Sequence, residues 1–287
     1  MEIAVADEVQ VEEFTYPTRP GKTRMQRMLM VGAADGFSFR LLRSQYQGGD
    51  DAFQTPRHHH AFQQIRFAEK GSLNYAPDQN VDDGEIAYFP RGTYYGPQVR
   101  DKGIGLTIQF GFGNEMLGGK DALEVYRQGV KKLRELGEVG NGVFIDTDPE
   151  TGKERVRDTW AAVVELMTGE KFEIPPGRYE APILMRPGNY AYYQASPGVE
   201  VKHLGGFYDH PGPNADVRMS VVRLSPGGVF RLSSDRAQLA WTTDTGLQAG
   251  GRTLPGLTAL FSPRGEEAEL GSAEIIELFL VEFPRLD

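Results

Sequence analysis

The sequence predicts a mostly β protein in which two similar β units are joined by a helical connector. Three observations carry that expectation. Short alternating or apolar runs, each closed by turn residues, follow one another at even spacing, and 35 glycines and 18 prolines are available to turn them. One stretch in the middle changes to a helical period. Motifs of the first half recur in the second at nearly constant separation.

Residues 1–24 read as a polar lead-in broken at Pro17 and Pro20, either an arm laid over a neighbouring subunit or a loose tail. The first β unit spans 25–114. Its runs are Met28-Leu29-Met30-Val31 up to Gly32, Phe37-Ser38-Phe39-Arg40-Leu41-Leu42, and, beyond a Gly48-Gly49-Asp50-Asp51 turn, 63–67, 72–75, 85–89 and 105–112. The pattern changes at Gly118, and 115–170 forms the connector. There, Leu123, Tyr126, Val130 and Leu133 share one face of a helix over 121–136, with Asp121 as its cap and Gly137 as its stop. Trp160, Val163, Val164 and Met167 do the same over 158–167. Asp148-Pro149-Glu150-Thr151-Gly152 between two short runs signals a hairpin. The apolar stripes of the connector read as packing surface without chemistry.

The second β unit spans 171–287. Phe89-Pro90-Arg91-Gly92 recurs as Ser262-Pro263-Arg264-Gly265, Gln64-Ile65-Arg66-Phe67 as Gln238-Leu239-Ala240-Trp241, and Leu106-Thr107-Ile108-Gln109-Phe110 as Phe279-Leu280-Val281-Glu282-Phe283. Arg91 and Arg264 thus hold one position in both copies, which favours a structural role.

Composition excludes several functions. A formal net charge of -9 without a basic cluster argues against binding nucleic-acid phosphates. The absence of cysteine removes disulfides, thiolate metal sites and a cysteine nucleophile. No apolar run approaches the ~20 residues that span a bilayer. The acidic start of the chain lacks the basic and apolar regions of a secretion signal, so a cytoplasmic protein is expected.

The chemistry concentrates in Arg57-His58-His59-His60-Ala61-Phe62-Gln63-Gln64, which holds three of the five histidines. In a strand, His58 and His60 project from one face and His59 from the other. Two imidazoles begin a first-row metal site, and Gln64, in phase with them, can add a carbonyl oxygen. Arg66 is in phase as well, and an inward arginine suits a substrate carboxylate or a salt bridge at the barrel rim. Tyr94 and Tyr95 suit a pocket mouth, a general acid or plain core packing.

Gly84-x5-Pro90-x-Gly92, preceded by His58-x-His60-x3-Gln64 and Gly71, resembles the two motifs of the cupin superfamily. The resemblance implies a bicupin, two cupin-type jelly-roll β-barrels in one chain. The first motif is also similar to that of the gentisate-type ring-cleaving dioxygenases. It implies a metal held by His58 and His60, with Gln64 where the superfamily has a carboxylate and Tyr95 where it has its third histidine. Tyr95, Gln98 and Gln109 are further ligand candidates. In the second unit the histidine positions fall near Leu232 and Ser234, which implies a degenerate barrel without metal.

A mononuclear metal-dependent enzyme acting on a small, anionic or aromatic molecule is therefore the leading expectation. Fe(II) is its first-choice ion and Zn, Mn or Ni the others; His58, His60 and Gln64 are its ligands, and Tyr95 and Arg66 its catalytic residues. A dioxygenase-type oxidoreductase comes first and a non-oxidative lyase, isomerase or cyclase second. A catalytically inactive small-molecule-binding bicupin is the remaining alternative. The expected partners are a small-molecule substrate and a second copy of the chain, with neither nucleic acid nor membrane.

Overall fold

The computed structural model describes residues 1–32, 36–117 and 119–286, so Gly118, where the sequence pattern changes, lies outside the described residues. The chain forms two compact units, Val11–Leu184 and, for the other, Met1–Gln10 with Met185–Asp287.

In the first unit a large antiparallel sheet runs Ile86–Phe89, Gln63–Gly71, Gly103–Phe112, Phe37–Tyr46, Lys22–Gly32, Glu12–Thr15, with Ile183–Met185 at the outer edge where the chain leaves the unit. The hairpin of Leu73–Ala76 and Gln79–Val81 packs Leu73, Tyr75 and Val81 onto Ala68, Ala87 and Phe89. A short pair, Phe53–Thr55 with Gln98–Arg100, adds a further piece of barrel wall. Phe37–Tyr46 is buried along nearly its whole length, as a central strand covered on both faces must be.

The second unit has a sheet in the order Glu2–Val5, Thr258–Ser262, Gln238–Thr242, Ile276–Glu282, Asp216–Leu224, Val199–Tyr208, Tyr193–Ser196. A four-stranded sheet in the order Val229–Leu232, Ala268–Ser272, Leu247–Ala249, Arg252–Leu254 completes this barrel. One core cluster of this barrel is aliphatic, with Val222, Leu224, Leu232, Leu260, Leu270 and Leu278 among its buried side chains. Leu232 is thus a core residue, and Ser234 lies beside Glu267. The internal repeat reappears in the registers, since Gln64 faces Phe89 and Gln238 faces Ser262.

The lead-in differs from the arm expected over 1–24. Glu2–Val5 pairs with Thr258–Ser262, placing Ile3 opposite Leu260, and Glu12–Thr15 pairs with Lys22–Gly32. Both are edge strands, and four residues are too few for alternation to stand out in a sequence.

The connector follows its expected pattern with shifted ends. Helix α1 covers Ala122–Leu133 and helix α2 covers Thr159–Thr168. Asp158 caps α2 by accepting from the Ala161 N–H at 3.0 Å, and Gly169 ends it with a left-handed φ of 74°. Asp121 makes no such side-chain bond, and α1 stops at Leu133, short of the expected 136. Val130, Leu133, Phe144, Ala162, Val163 and Val164 form the core of this segment. The hairpin pairs Val143–Thr147 with Glu154–Asp158, its turn held by Asp148 accepting from the Glu150 and Thr151 N–H groups. Among the described residues no helix is long and apolar enough to cross a membrane.

Candidate functional site

The backbones of His58 and Tyr95 bridge each other, each N–H donating to the other's carbonyl at 2.9 Å. That bridge holds residues 57–62 as a bend ahead of the strand Gln63–Gly71. His58 and His60 therefore do not share a strand face with Gln64, as their spacing suggests; the bend brings their rings together, with centroids 4.9 Å apart. The bend is fastened where Gly92 N–H donates to the His60 carbonyl at 2.8 Å. Only glycine suits that position, because its φ is 70° and a Cβ would collide with the Pro175 carbonyl.

Burial sets the state of both imidazoles. His58 is lowered to about 2, first by burial and then by the nearby Arg19 charge. His60 is held well below the ordinary range by burial, with His58, Arg19, Arg66 and Arg40 adding to the effect. His58 Nδ1 lies 2.8 Å from the Pro56 carbonyl and donates to it, which leaves the Nε2 lone pair facing Arg19 Nη1 at 3.5 Å. His59, expected to point outward, stacks on Tyr94 at 4.2 Å. It is half-buried and contributes to the wall of the barrel cavity as well as to two surface clefts.

The cavity of this barrel measures about 150 Å³. Arg19, Arg40, Arg66, Arg100 and Arg127 line it, and among the described residues Asp158 is the one carboxylate in the lining. Among the described residues none of these arginines has an ion-pair partner. Burial lowers Arg40 and Arg66 to about 10 each, and it raises Asp158. The rest of the wall is largely aromatic, including Phe14, Tyr16, Phe53, Phe62, Tyr126 and Trp160.

Neutral groups tie the buried arginines together. Arg40 Nε donates to Gln109 Oε1 at 2.5 Å, Gln109 Nε2 to Gln64 Oε1 at 3.1 Å, and Gln64 Nε2 to the Tyr95 oxygen at 2.7 Å. From the other side Arg66 Nη2 donates to the same phenol oxygen at 3.1 Å. Arg66 Nη1 and Arg100 Nη2 both donate to Gln98 Oε1, at 3.2 and 3.1 Å. Three buried polar atoms of this network, Arg40 Nη1, Arg100 Nε and Gln98 Nε2, have no partner among the described residues.

His60, Gln64 and Arg66 thus border the cavity, while His58 and Tyr95 stand behind its wall. Tyr95 packs against Phe89 and accepts hydrogen bonds from two residues that do border the space. It is itself absent from the cavity lining. Arg40 and Arg100 escaped the sequence reading, although Arg40 shares a strand face with Leu42, and an arginine among apolar residues of a strand was a visible signal. The connector, read as packing alone, supplies Leu123, Tyr126, Arg127, Asp158 and Trp160 to the wall; a helix facing a cavity and one facing a core show the same apolar period. Tyr16 to Arg19 of the lead-in close another side, held by Arg134 Nη2 donating to the Pro17 carbonyl at 2.5 Å.

These side chains do not fit a resident divalent metal ion. Among the described residues no three histidine, aspartate or glutamate side chains converge to hold one. The Gln64 oxygen already accepts from Gln109, the His58 lone pair faces a guanidinium, and unpaired cationic groups surround the space. Two neutral imidazoles without a carboxylate, set among positive charges, are a poor donor set for a dication.

No family model and no curated protein matches the chain. Solved structures do. One is a candidate dioxygenase from Nostoc punctiforme PCC 73102, with a TM-score of 0.59 at 10% identity, covering 99% of this chain and 82% of that one. Another is oxalate decarboxylase from Bacillus subtilis, with a TM-score of 0.52 at 12% identity, covering 99% of this chain and 76% of that one. A further structure of the same decarboxylase, described for its Mn(II) centres, has a TM-score of 0.52 at 11% identity over 100% of this chain and 78% of that one. The fold is that of the bicupins, and identities this low speak for the fold alone.

Proposed function

We propose, from the premise of a two-barrel cupin fold, that the Val11–Leu184 barrel receives a small planar organic anion, with aromatic carboxylates as the best-matched class. The observation that carries this reading is the set of buried arginines without a counter-charge. A buried guanidinium bonded only to amides and a phenol is unfavourable by itself and becomes favourable when an anion completes it. Arg40 Nη1, buried and without a partner, is the donor left open for that purpose. A cavity of about 150 Å³ matches a benzene-sized body, and aromatic walls suit a flat one.

A second reading, a metal-dependent dioxygenase-type enzyme acting on the same anion, is favoured by the adjacency of two neutral imidazoles, His58 and His60. Elemental analysis separates the two, since stoichiometric iron lost in His58→Ala/His60→Ala would favour the enzyme. The direct test of the binding reading uses Trp160 in the cavity wall as a reporter. Benzoate and hydroxybenzoates are expected to quench tryptophan fluorescence and raise Tm, while benzamide, of the same shape without charge, does neither. Equal responses to benzoate and benzamide would sink the proposal.

A further inference from the structure

The disagreement between a histidine pair that resembles the start of a metal site and a cavity full of positive charge has a specific resolution in Arg19. This residue comes from the lead-in segment, not from the barrel strands. Its Nη1 lies 3.5 Å from His58 Nε2, long for a hydrogen bond but directed at the lone pair that the Pro56 contact leaves open. Arg19 borders the cavity whereas His58 does not, so the guanidinium stands on the cavity side of that imidazole. The segment is fixed from two sides, by Arg134 on the Pro17 carbonyl and by Tyr126 bonding Thr18. Within the described residues Arg19 has no ion-pair partner.

We propose that the Arg19 guanidinium is the built-in cation of this site: it takes the side of the histidine pair where a metal would stand, excludes a divalent ion by charge and occupancy, and presents its remaining N–H groups to the bound anion. A guanidinium is always charged and offers a flat fork of five donors, so one edge can face an imidazole while another meets a carboxylate. The arrangement makes anion recognition independent of metal supply. Only the contact with the anion rests on the function proposed above; the exclusion of metal does not.

Cobalt(II) is the probe, because imidazole ligation gives it a visible absorption. The full-length protein is expected to show no histidine-dependent cobalt spectrum. Arg19→Glu places a carboxylate beside two imidazoles, a two-histidine, one-carboxylate set. This variant is expected to bind cobalt at least tenfold more tightly than the parent and to lose that gain when His60→Ala is added. A parent protein that binds cobalt stoichiometrically in a His58-dependent manner would overturn the proposal, as would a folded Arg19→Glu variant that binds it no better. Should Arg19→Glu fail to fold, Arg19→Gln decides by imidazole nitrogen NMR: the His58 Nε2 signal should move toward that of a free lone pair, and an unchanged signal would refute the contact. Benzoate titration reads the anion half, with at least tenfold weaker binding expected in Arg19→Gln and unchanged affinity counting against it. If benzoate does not bind the parent either, the proposed function fails while the cobalt result still judges the metal half.

Discussion

At one register the two barrels place an arginine, a middle partner and a glutamine side by side. In the first barrel these are Arg40, Gln109 and Gln64; in the second, Arg218, Glu282 and Gln238. The middle residue reaches its glutamine in both, with Gln109 donating to Gln64 at 3.1 Å and Gln238 donating to Glu282 at 3.2 Å. The second barrel supplies further carboxylate, since Asp216 pairs with Arg218 and with the buried Arg236, each at 2.6 Å. One layer on, Arg66 beside Thr107 is matched by Ala240 beside Leu280. The fold therefore needs the polar row but not the unbalanced charge. Around Arg218, whose side chain is 47% exposed, carboxylates answer the arginines; around the buried Arg40 amides do, and the space beside it is lined by further arginines.

The largest effect should come from making a hole in the aliphatic core of the second barrel. Leu270→Ala removes a fully buried side chain from the aliphatic cluster and is expected to lower stability by ~2–5 kcal/mol in urea unfolding, leaving anion affinity unchanged. Leu42→Ala, on a wall that already borders empty space, should fall at or below the bottom of that range, and equal losses would erase the contrast.

The first barrel should also respond to pH through His58, faced by Arg19, Arg66 and His59. The unfolded imidazole takes up its proton near 6.5 and the folded one at about 2, so the unfolded chain binds more protons between those values. This contribution is complete above about 6.5 and is lost as pH falls below it, by ~2 kcal/mol between pH 7 and pH 5. His58→Gln should therefore lose that part of the acid sensitivity, and unfolding curves of both proteins at the two pH values check it. Parallel losses in the variant would show that His58 is not held neutral.

Gln109→Glu gives the first barrel the carboxylate that the second has at Glu282. The unliganded protein is expected to gain on the order of 1–2 kcal/mol as Arg40 acquires a charged acceptor. Benzoate affinity should fall at least a hundredfold. A variant that becomes less stable and still binds the anion would break the comparison.

Much of this was legible in the sequence. The repeat of Pro90-Arg91-Gly92 as Pro263-Arg264-Gly265 located both barrels, because a tight turn with a left-handed glycine is a local requirement, met at Gly92 and Gly265 alike. The helices at 122–133 and 159–168 followed from apolar period. Arg66 was visible from its phase with the residues around it. Arg19 and Asp158 were not, since each reaches the cavity from outside the barrel strands, and no periodicity relates a loop residue to a space formed by distant strands. The histidine pair was legible, but a His-x-His spacing carries no record of the guanidinium that stands beside it.

The row from Arg40 to Tyr95 has one further property. Every hydrogen bond in it points the same way, from the guanidinium through two amides to the phenol oxygen, and Arg66 points to that oxygen from the other side. Amide relays neither take up nor release a proton near neutral pH, so the row insulates against proton traffic. What it conducts is polarisation: an anion drawing electron-poor hydrogens toward itself at Arg40 weakens or strengthens each successive dipole down to Tyr95 without displacing a heavy atom. The barrel wall is in this sense a wire for electric field and a barrier to protons, and both follow from glutamines at positions 64 and 109.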